Sequence, residues 1–196
     1  METLWQRPPT IWYDWPVADQ ESYETTRLRL RAYRESDAPR VLDIHSRYDV
    51  RRWIDDPPVT PMRDLAEARE WVHVWDALHA ADPRLGAWAI VAKDTGVVAG
   101  TVLLASVPNS DGLVQIGWHL HPDSTGRGYV TEAAPVLLAR AFEHPMPEVY
   151  ALLFTDNAPS AAVCERLGMR DLGIVEKWYE GESRCFRTTY EEWRTR

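Results

Sequence analysis

Cysteine is nearly missing from this chain. Cys164 and Cys185 are the only two in 196 residues, and their spacing suits neither a disulfide framework nor a metal site. Long apolar runs are missing too: no stretch approaches the roughly 20 residues that cross a bilayer. The opening segment, METLWQRPPTIWYDWP, lacks the basic region and apolar stretch of a secretory signal. Positive charge is scarce, with 22 Lys and Arg against 30 Asp and Glu, a formal net charge of −8. Phosphate-rich partners usually require a basic surface, so no nucleic-acid partner is expected. The chain also has no internal repeat and no low-complexity segment. These absences lead to the expectation of a cytoplasmic protein with reduced thiols, no metal and no membrane partner. The acidic balance suits a cationic substrate as well as it suits solubility.

What is present fits one folded domain. Hydrophobic residues make up 45% and charged residues 27%, ordinary values for a chain long enough to bury a core. Tryptophan is in excess, with ten against three phenylalanines. Trp5, Trp12, Trp15, Trp53, Trp71, Trp75 and Trp88 all precede residue 121, which concentrates aromatic packing in the first half. Residues 1–24 read as an extension and 25–196 as the domain. Trp12 and Trp15 of the extension are expected to pack on the domain or on a second subunit, so monomer and homodimer both stay open.

RLRLRAYR alternates apolar residues with arginines, a strand pattern, and ESDAPRVLDIHSRY follows as a helix. WIDDPPVTP is a loop, because prolines remove donors and restrict their predecessors. MRDLAEAREWVHVWDALHA is an amphipathic helix. AWAIVAK, VVAGTVLLASV and LVQIGWHLH are strands separated by turns. YVTEAAPVLLARAFE is a helix that Pro135 is expected to distort, and EVYALLFT is a buried strand. NAPSAAVCERLG is a helix from a capping Asn157 to a terminating Gly168, and RDLGIVEKWY with RCFRTTYEEW closes the chain as a hairpin. The class is α/β in the α+β sense: a single mixed, mostly antiparallel sheet flanked by helices, with one strand–helix–strand crossover.

Between a strand ending near His121 and a helix beginning near Tyr129 lies HPDSTGRGYVTEAA. Two glycines so close together need a local reason. A helix start with free N–H groups holds a pyrophosphate without basic side chains; a tight connection that binds nothing is the alternative. Neither common nucleotide fingerprint is matched, which argues against a flavin or nucleotide enzyme.

The order of four segments changes the weight of that loop. TTRLRLRAYRESDAPRVLDI, VQIGWHLHPDSTGRGYVTEAA, NAPSAAVCERLGMR and KWYEGESRCF occur in family order over about residues 25–190. In this the chain resembles the GNAT superfamily of N-acetyltransferases, most closely its ribosomal-protein-alanine acetyltransferase-like branch. The resemblance implies the acyl-CoA N-acyltransferase fold and acetyl transfer from acetyl-coenzyme A to an amine, by direct attack in a ternary complex. It implies a strand over 113–121 that splays from the strand over 148–155, with pantetheine inserted between them. The cofactor contacts it implies are Trp118, His119 and Leu120 on the strand, Thr125, Gly126, Arg127, Gly128, Tyr129, Val130 and Thr131 in the loop, and Asn157 and Ser160 on the next helix. Two positions depart from the pattern: Asp123 stands where relatives carry Arg or Gln, and Cys164 where other members carry a proton-donating Tyr.

The chemistry needs a neutral amine, a stabilised oxyanion and a proton for the departing thiolate. A backbone N–H near Trp118–Leu120 suits the oxyanion. Ser160, one helical turn after Asn157, suits the thiolate, with a purely local helix-end role as the alternative. For the base, Gln115 cannot take a proton. His119, on the same strand face, titrates in the right range but has a structural alternative, and a water relay stays open. Asp55 and Asp56 in the proline-rich loop are candidates for holding a cationic amine, or are simply solvated. Trp53, with Trp71, Trp75 and the extension, marks where an acceptor pocket is sought, and Gln115 is a further candidate substrate contact. Glu132 reads as a first-turn carboxylate and Cys164 as packing. The acceptor class is a protein N-terminus or a small-molecule amine. The competing function is an acyl-CoA-binding regulatory module without turnover.

Overall fold

In the computed structural model, which describes residues 22–144 and 146–195, eight strands form one sheet. In chain order the elements are β1 (Tyr23–Glu24), β2 (Leu28–Arg31), α1 (Ala38–His45), α2 (Tyr48–Arg51), α3 (Leu65–Ala81), β3 (Gly86–Ala92), β4 (Val98–Ser106), β5 (Val114–Leu120), α4 (Tyr129–Glu143), β6 (Glu148–Leu153), α5 (Ala158–Arg166), β7 (Arg170–Val175), β8 (Ser183–Thr189) and α6 (Tyr190–Arg194). The strands lie in the order β1-β2-β3-β4-β5-β6-β8-β7. All neighbours are antiparallel except β5 and β6, which the α4 crossover makes parallel.

Strand alternation sorts the core into two layers. Leu28, Leu30, Trp88, Ile90, Val102, Leu104, Val114 and Ile116 pack against α4 and α5, contacting Ala133, Leu137, Leu138 and Cys164 among others. The opposite face carries the smaller Ala87, Ala89 and Ala105, over which α1 and α3 lay Val41, Ala68, Val72 and Trp75. Small strand residues there leave room for the tryptophan. A third cluster joins Val107, Tyr150, Trp178 and Cys185, so the β7–β8 connection covers that face of β6.

The helix over 129–143 has the expected bounds and runs through Pro135; burial of its apolar face, including Ala133, Ala134, Leu137 and Leu138, outweighs one missing donor. Three local outcomes differ from the pattern-based expectation. The segment YEEW is a short helix rather than strand, because Thr189 and Glu192 form a capping box. A one-turn helix, α2, precedes the proline-rich loop. The sheet takes in Tyr23 and Glu24, ahead of residue 25, through pairing with Leu30 and Arg29. The expected packing of Trp12 and Trp15 lies outside the described residues. No described helix is long and apolar enough to cross a membrane.

Candidate active site

The strands β5 and β6 begin as neighbours and then part. Their ladder holds a single registered pair, Gln115 with Tyr150, whereas β4 and β5 stay in register over seven. Beyond that pair a cleft opens, lined on one strand by Ile116, Gly117, Trp118 and His119 and on the other by Leu152, Leu153 and Phe154. The His121 N–H donates to the Ala99 carbonyl at 2.8 Å, and the β4–β5 register has no bulge. By antiparallel alternation, odd-numbered residues of β5 bond to β4. The N–H groups of Trp118 and Leu120 therefore face the cleft side. Leu120 contributes only backbone there, since its side chain packs on the α4 layer.

Past the end of β5 and a short turn over Pro122–Ser124, the 125–131 loop leads into α4. Gly126 (φ 72) and Gly128 (φ 75) are both left-handed, and Gly128 caps α4. Conformation is the first reason for glycine here. A β-carbon at Gly126 meets open space, and one at Gly128 meets only the Arg27 guanidinium at 3.6 Å. Among the described residues, the N–H groups of 126–131 have no backbone acceptor, and Thr125 to Gly128 are exposed. Tyr129 and Val130 turn their side chains into the core. Arg127 and Arg166 stand beside the loop; Arg166 Nη1 donates to Thr131 Oγ1 at 3.3 Å. Arg166 lies within NAPSAAVCERLGMR, but nothing in that segment singles it out as a loop neighbour.

Two carboxylates hold the loop in shape. Glu132 accepts from Thr25 Oγ1 at 2.6 Å, from the Arg27 N–H at 2.8 Å and from Arg27 Nε at 2.6 Å, while Arg27 Nη1 donates to the Arg127 carbonyl at 2.9 Å. Burial opposes the Glu132 charge, but these donors outweigh it and lower its pKa. The carboxylate is thus a tie between the first strands and the loop, beyond a first-turn helix charge. Asp123 accepts from Arg40 Nη2 at 2.9 and 3.0 Å and from Ser124 Oγ at 2.6 Å. Burial again opposes the charge; the bonds from Ser124, Arg40 and His121 win and hold the carboxyl at about 2. The residue that replaces the family's Arg or Gln is therefore turned onto α1.

Asn157 and Ser160 line the other wall of the cleft. Asn157 Oδ1 accepts the Ser160 N–H at 3.2 Å and caps α5. The cap is Asn157, so the Ser160 hydroxyl is not spent on the helix end; it has no partner among the described residues. Cys164 is fully buried, with burial pushing its thiol up to about 12.

The remaining wall of the cleft is built by the loop that follows α2 and by the β7–β8 connection. Trp53, Asp56, Gln115, Tyr179, Glu180 and Glu182 line it. Gln115 Nε2 donates to the Ser106 carbonyl at 3.3 Å and to the Tyr179 hydroxyl oxygen. Burial raises the Tyr179 pKa, so it stays a neutral phenol. Tyr179 is a cleft residue that sequence reading missed, although KWYEGES marked its hairpin. Asp55, a candidate substrate contact, is not among the residues that line the cleft, and its carboxylate pairs with Arg51 Nε at 2.7 Å. Its neighbour Asp56 takes that place. Trp71 and Trp75 line a separate apolar cavity of about 230 Å³ with Val74, Ala77, Leu78, Leu103 and Ala105. Leu103 also lines the cleft.

His119 shares a strand face with Gln115, as expected, yet it is a weak base. Burial, and then the Arg51 charge, bring its pKa down to about 3, and Nε2 lies 2.7 Å from Thr101 Oγ1. His45, beside it, is lowered as well by burial, His119 and Arg51.

Residues 27–170 match the family model described as the acetyltransferase (GNAT) domain. The chain belongs to the GNAT acetyltransferases. It is 24% identical over 165 residues to the uncharacterized N-acetyltransferase p20 of Bacillus licheniformis, covering 84% of this chain and 90% of that one. Among solved structures it is similar to a GNAT-family acetyltransferase from Bacillus anthracis, with TM-score 0.72, 21% identity, and 88% and 100% of the two chains covered. It is also similar to RimL, a ribosomal L7/L12 alpha-N-protein acetyltransferase in complex with coenzyme A, with TM-score 0.71, 19% identity, and 88% and 99% covered. The splayed strands and the capping Asn157 of this GNAT acetyltransferase fall on one cleft. Among the described residues no group of His, Cys, Asp and Glu suits a metal ion.

Proposed function

We propose that this GNAT acetyltransferase transfers the acetyl group of acetyl-coenzyme A to a primary amine by direct attack within a ternary complex. The observation that carries the reading is the parting of β5 from β6 after one registered pair, with unpaired N–H groups along β5 and at the α4 start. The 126–131 N–H groups, with Arg127 and Arg166 beside them, suit a pyrophosphate. The Trp118 or Leu120 N–H suits the oxyanion, since a fixed donor in a cleft needs no reorganisation as charge develops. The Ser160 hydroxyl gives its proton to the departing thiolate and recovers one released by the amine through water. The amide nitrogen of Asn157 remains available to a pantetheine carbonyl.

The acceptor is a cation. Asp56, Glu180 and Glu182 line its side of the cleft, and no Lys or Arg does so among the described residues. Burial, and then Glu180, raise the Asp56 pKa, which is the state a cationic partner relieves. Coenzyme A binding without turnover is the second reading. Its support is specific: Gln115 has no basic atom, and His119 holds its proton weakly.

Thiol release from acetyl-coenzyme A, followed with a panel of amines, separates the two. Amines carrying a second positive charge are expected to give the highest kcat/KM, and amines on acidic peptides the lowest. Release no faster than background hydrolysis with every amine, alongside measurable coenzyme A binding, would establish the non-catalytic reading.

A further inference from the structure

Behind the acceptor side runs a buried polar chain to which the transfer reaction, as described, gives no part. Tyr33 Oη lies 3.0 Å from the Gly100 carbonyl oxygen and 2.7 Å from Thr101 Oγ1. Thr101 Oγ1 lies 2.7 Å from His119 Nε2. Tyr33 is 4% exposed, Thr101 0% and His119 8%, so water does not satisfy these groups and each contact has to be a hydrogen bond.

Proton bookkeeping along the chain assigns the histidine tautomer. The Gly100 carbonyl only accepts, so Tyr33 donates to it. The Tyr33 oxygen then accepts from the Thr101 hydroxyl. Thr101 has spent its hydrogen, so its oxygen accepts from His119 Nε2–H. The reverse order leaves the Gly100 contact without a hydrogen. Carrying its proton on Nε2, the ring keeps a bare lone pair on Nδ1. That nitrogen has no partner among the described residues and is not among the sealed, unpartnered buried atoms, and His119 lines the cleft. His45, edge-on with ring centres 4.6 Å apart, and Trp75 at 6.4 Å confine the ring. Tyr33 itself is braced on Trp75 at 4.4 Å.

We propose that Tyr33 and Thr101 are positioning residues that hold His119 as the Nε2–H tautomer, so that Nδ1 accepts a hydrogen bond from the acceptor amine and aims its lone pair at the acetyl carbon. The inference rests on the transferase reading above and gives His119 a task that a weak base can perform. A neutral imidazole orients an N–H without keeping its proton. Mis-aiming a nucleophile by about 1 Å costs on the order of 10²-fold in rate.

Tyr33→Phe is the informative variant, because the ring and its packing on Trp75 are kept. Without the phenolic oxygen, the Thr101 hydroxyl has only His119 Nε2 to donate to, and the imidazole proton moves to Nδ1. Nitrogen–proton NMR correlations on the unliganded protein are expected to show Nε2 protonated in the wild type and Nδ1 protonated in Tyr33→Phe. Acceptor kcat should fall roughly 10- to 10²-fold, with acetyl-coenzyme A affinity unchanged; Thr101→Ser should retain the wild-type tautomer and rate, and Thr101→Val should lose the rate. A proton that stays on Nε2 in Tyr33→Phe overturns the proposal, and so does a tautomer change that leaves kcat unaltered. A wild type that acetylates no amine sinks the transferase reading instead, while the NMR comparison still decides the tautomer assignment.

Discussion

Glu132 ties the first strands to the start of α4, and its removal has a calculable cost. Its side chain is 18% exposed and accepts three hydrogen bonds, from Thr25 Oγ1, the Arg27 N–H and Arg27 Nε. Arg27 is half-exposed at 51%, so solvent screening limits the ion pair to about 1 kcal/mol or less. The other two bonds contribute about 1 kcal/mol each. Glu132→Ala should therefore cost about 2–3 kcal/mol, and in a domain of this size lower the melting temperature by roughly 4–12 °C. Glu132→Gln keeps an oxygen for Thr25 and the Arg27 N–H while losing the ion pair, and should cost about 1 kcal/mol. Releasing Arg27 also frees the Arg127 carbonyl, so acetyl-coenzyme A affinity should weaken on the order of 10-fold in the alanine variant through lost preorganisation. Thermal unfolding and calorimetric titration measure both quantities. An alanine variant with wild-type melting and affinity would refute the reasoning. Equal damage from Gln and Ala would assign the effect to charge instead of hydrogen bonding.

Three further outcomes follow from the same geometry. Gly128→Val forces a β-branched residue to φ 75 at a strain of about 1–3 kcal/mol; acetyl-coenzyme A binding should be lost with the circular dichroism of a folded protein retained, and unchanged affinity would misplace the pyrophosphate. Ser160→Ala should lower kcat on the order of 10²-fold with little change in acetyl-coenzyme A affinity, and Cys164→Ala should cost far less; the opposite ranking would hand the proton to the thiol. The folded pKa of His119 is depressed from 6.5 to about 3, so the unfolded chain takes up a proton that the folded chain refuses, and stability falls as pH drops below 6.5. Between pH 8 and pH 5 this amounts to about 2 kcal/mol for His119, with His45 adding in the same direction; urea titrations should find that His119→Gln removes the His119 part, and an unaltered pH slope would contradict it.

What the sequence made legible was local. The loop read from Gly126 and Gly128 is where the α4 start leaves its N–H groups free, because strand end, turn and helix start are encoded within some fourteen neighbouring residues. Asn157 as a cap and the α1 and α3 helices were readable for the same reason. What stayed hidden depends on distant pairing. Asp55 and Asp56 are indistinguishable in sequence, and only the approach of Arg51 on α2 withdraws one and leaves the other on the cleft. Tyr179 reaches Gln115 across 64 positions, and Arg166 reaches Thr131 across 35. His119 has the same ring in any strand; its acidity is set by burial and by Arg51. The glycines were read correctly as marking the loop, but their conformational reason, a positive φ at both, appears only in the backbone.

The central claim is that acetyl-coenzyme A lies between the parted ends of β5 and β6 with its pyrophosphate on the α4 start. A crystal structure of the protein with coenzyme A tests it most directly. The account predicts phosphate oxygens within hydrogen-bond distance of the N–H groups of 126–131, a pantetheine chain pairing with the backbone of Trp118 and Leu120, and the sulfur beside Ser160. Coenzyme A bound elsewhere, with the β5–β6 cleft empty, would contradict it.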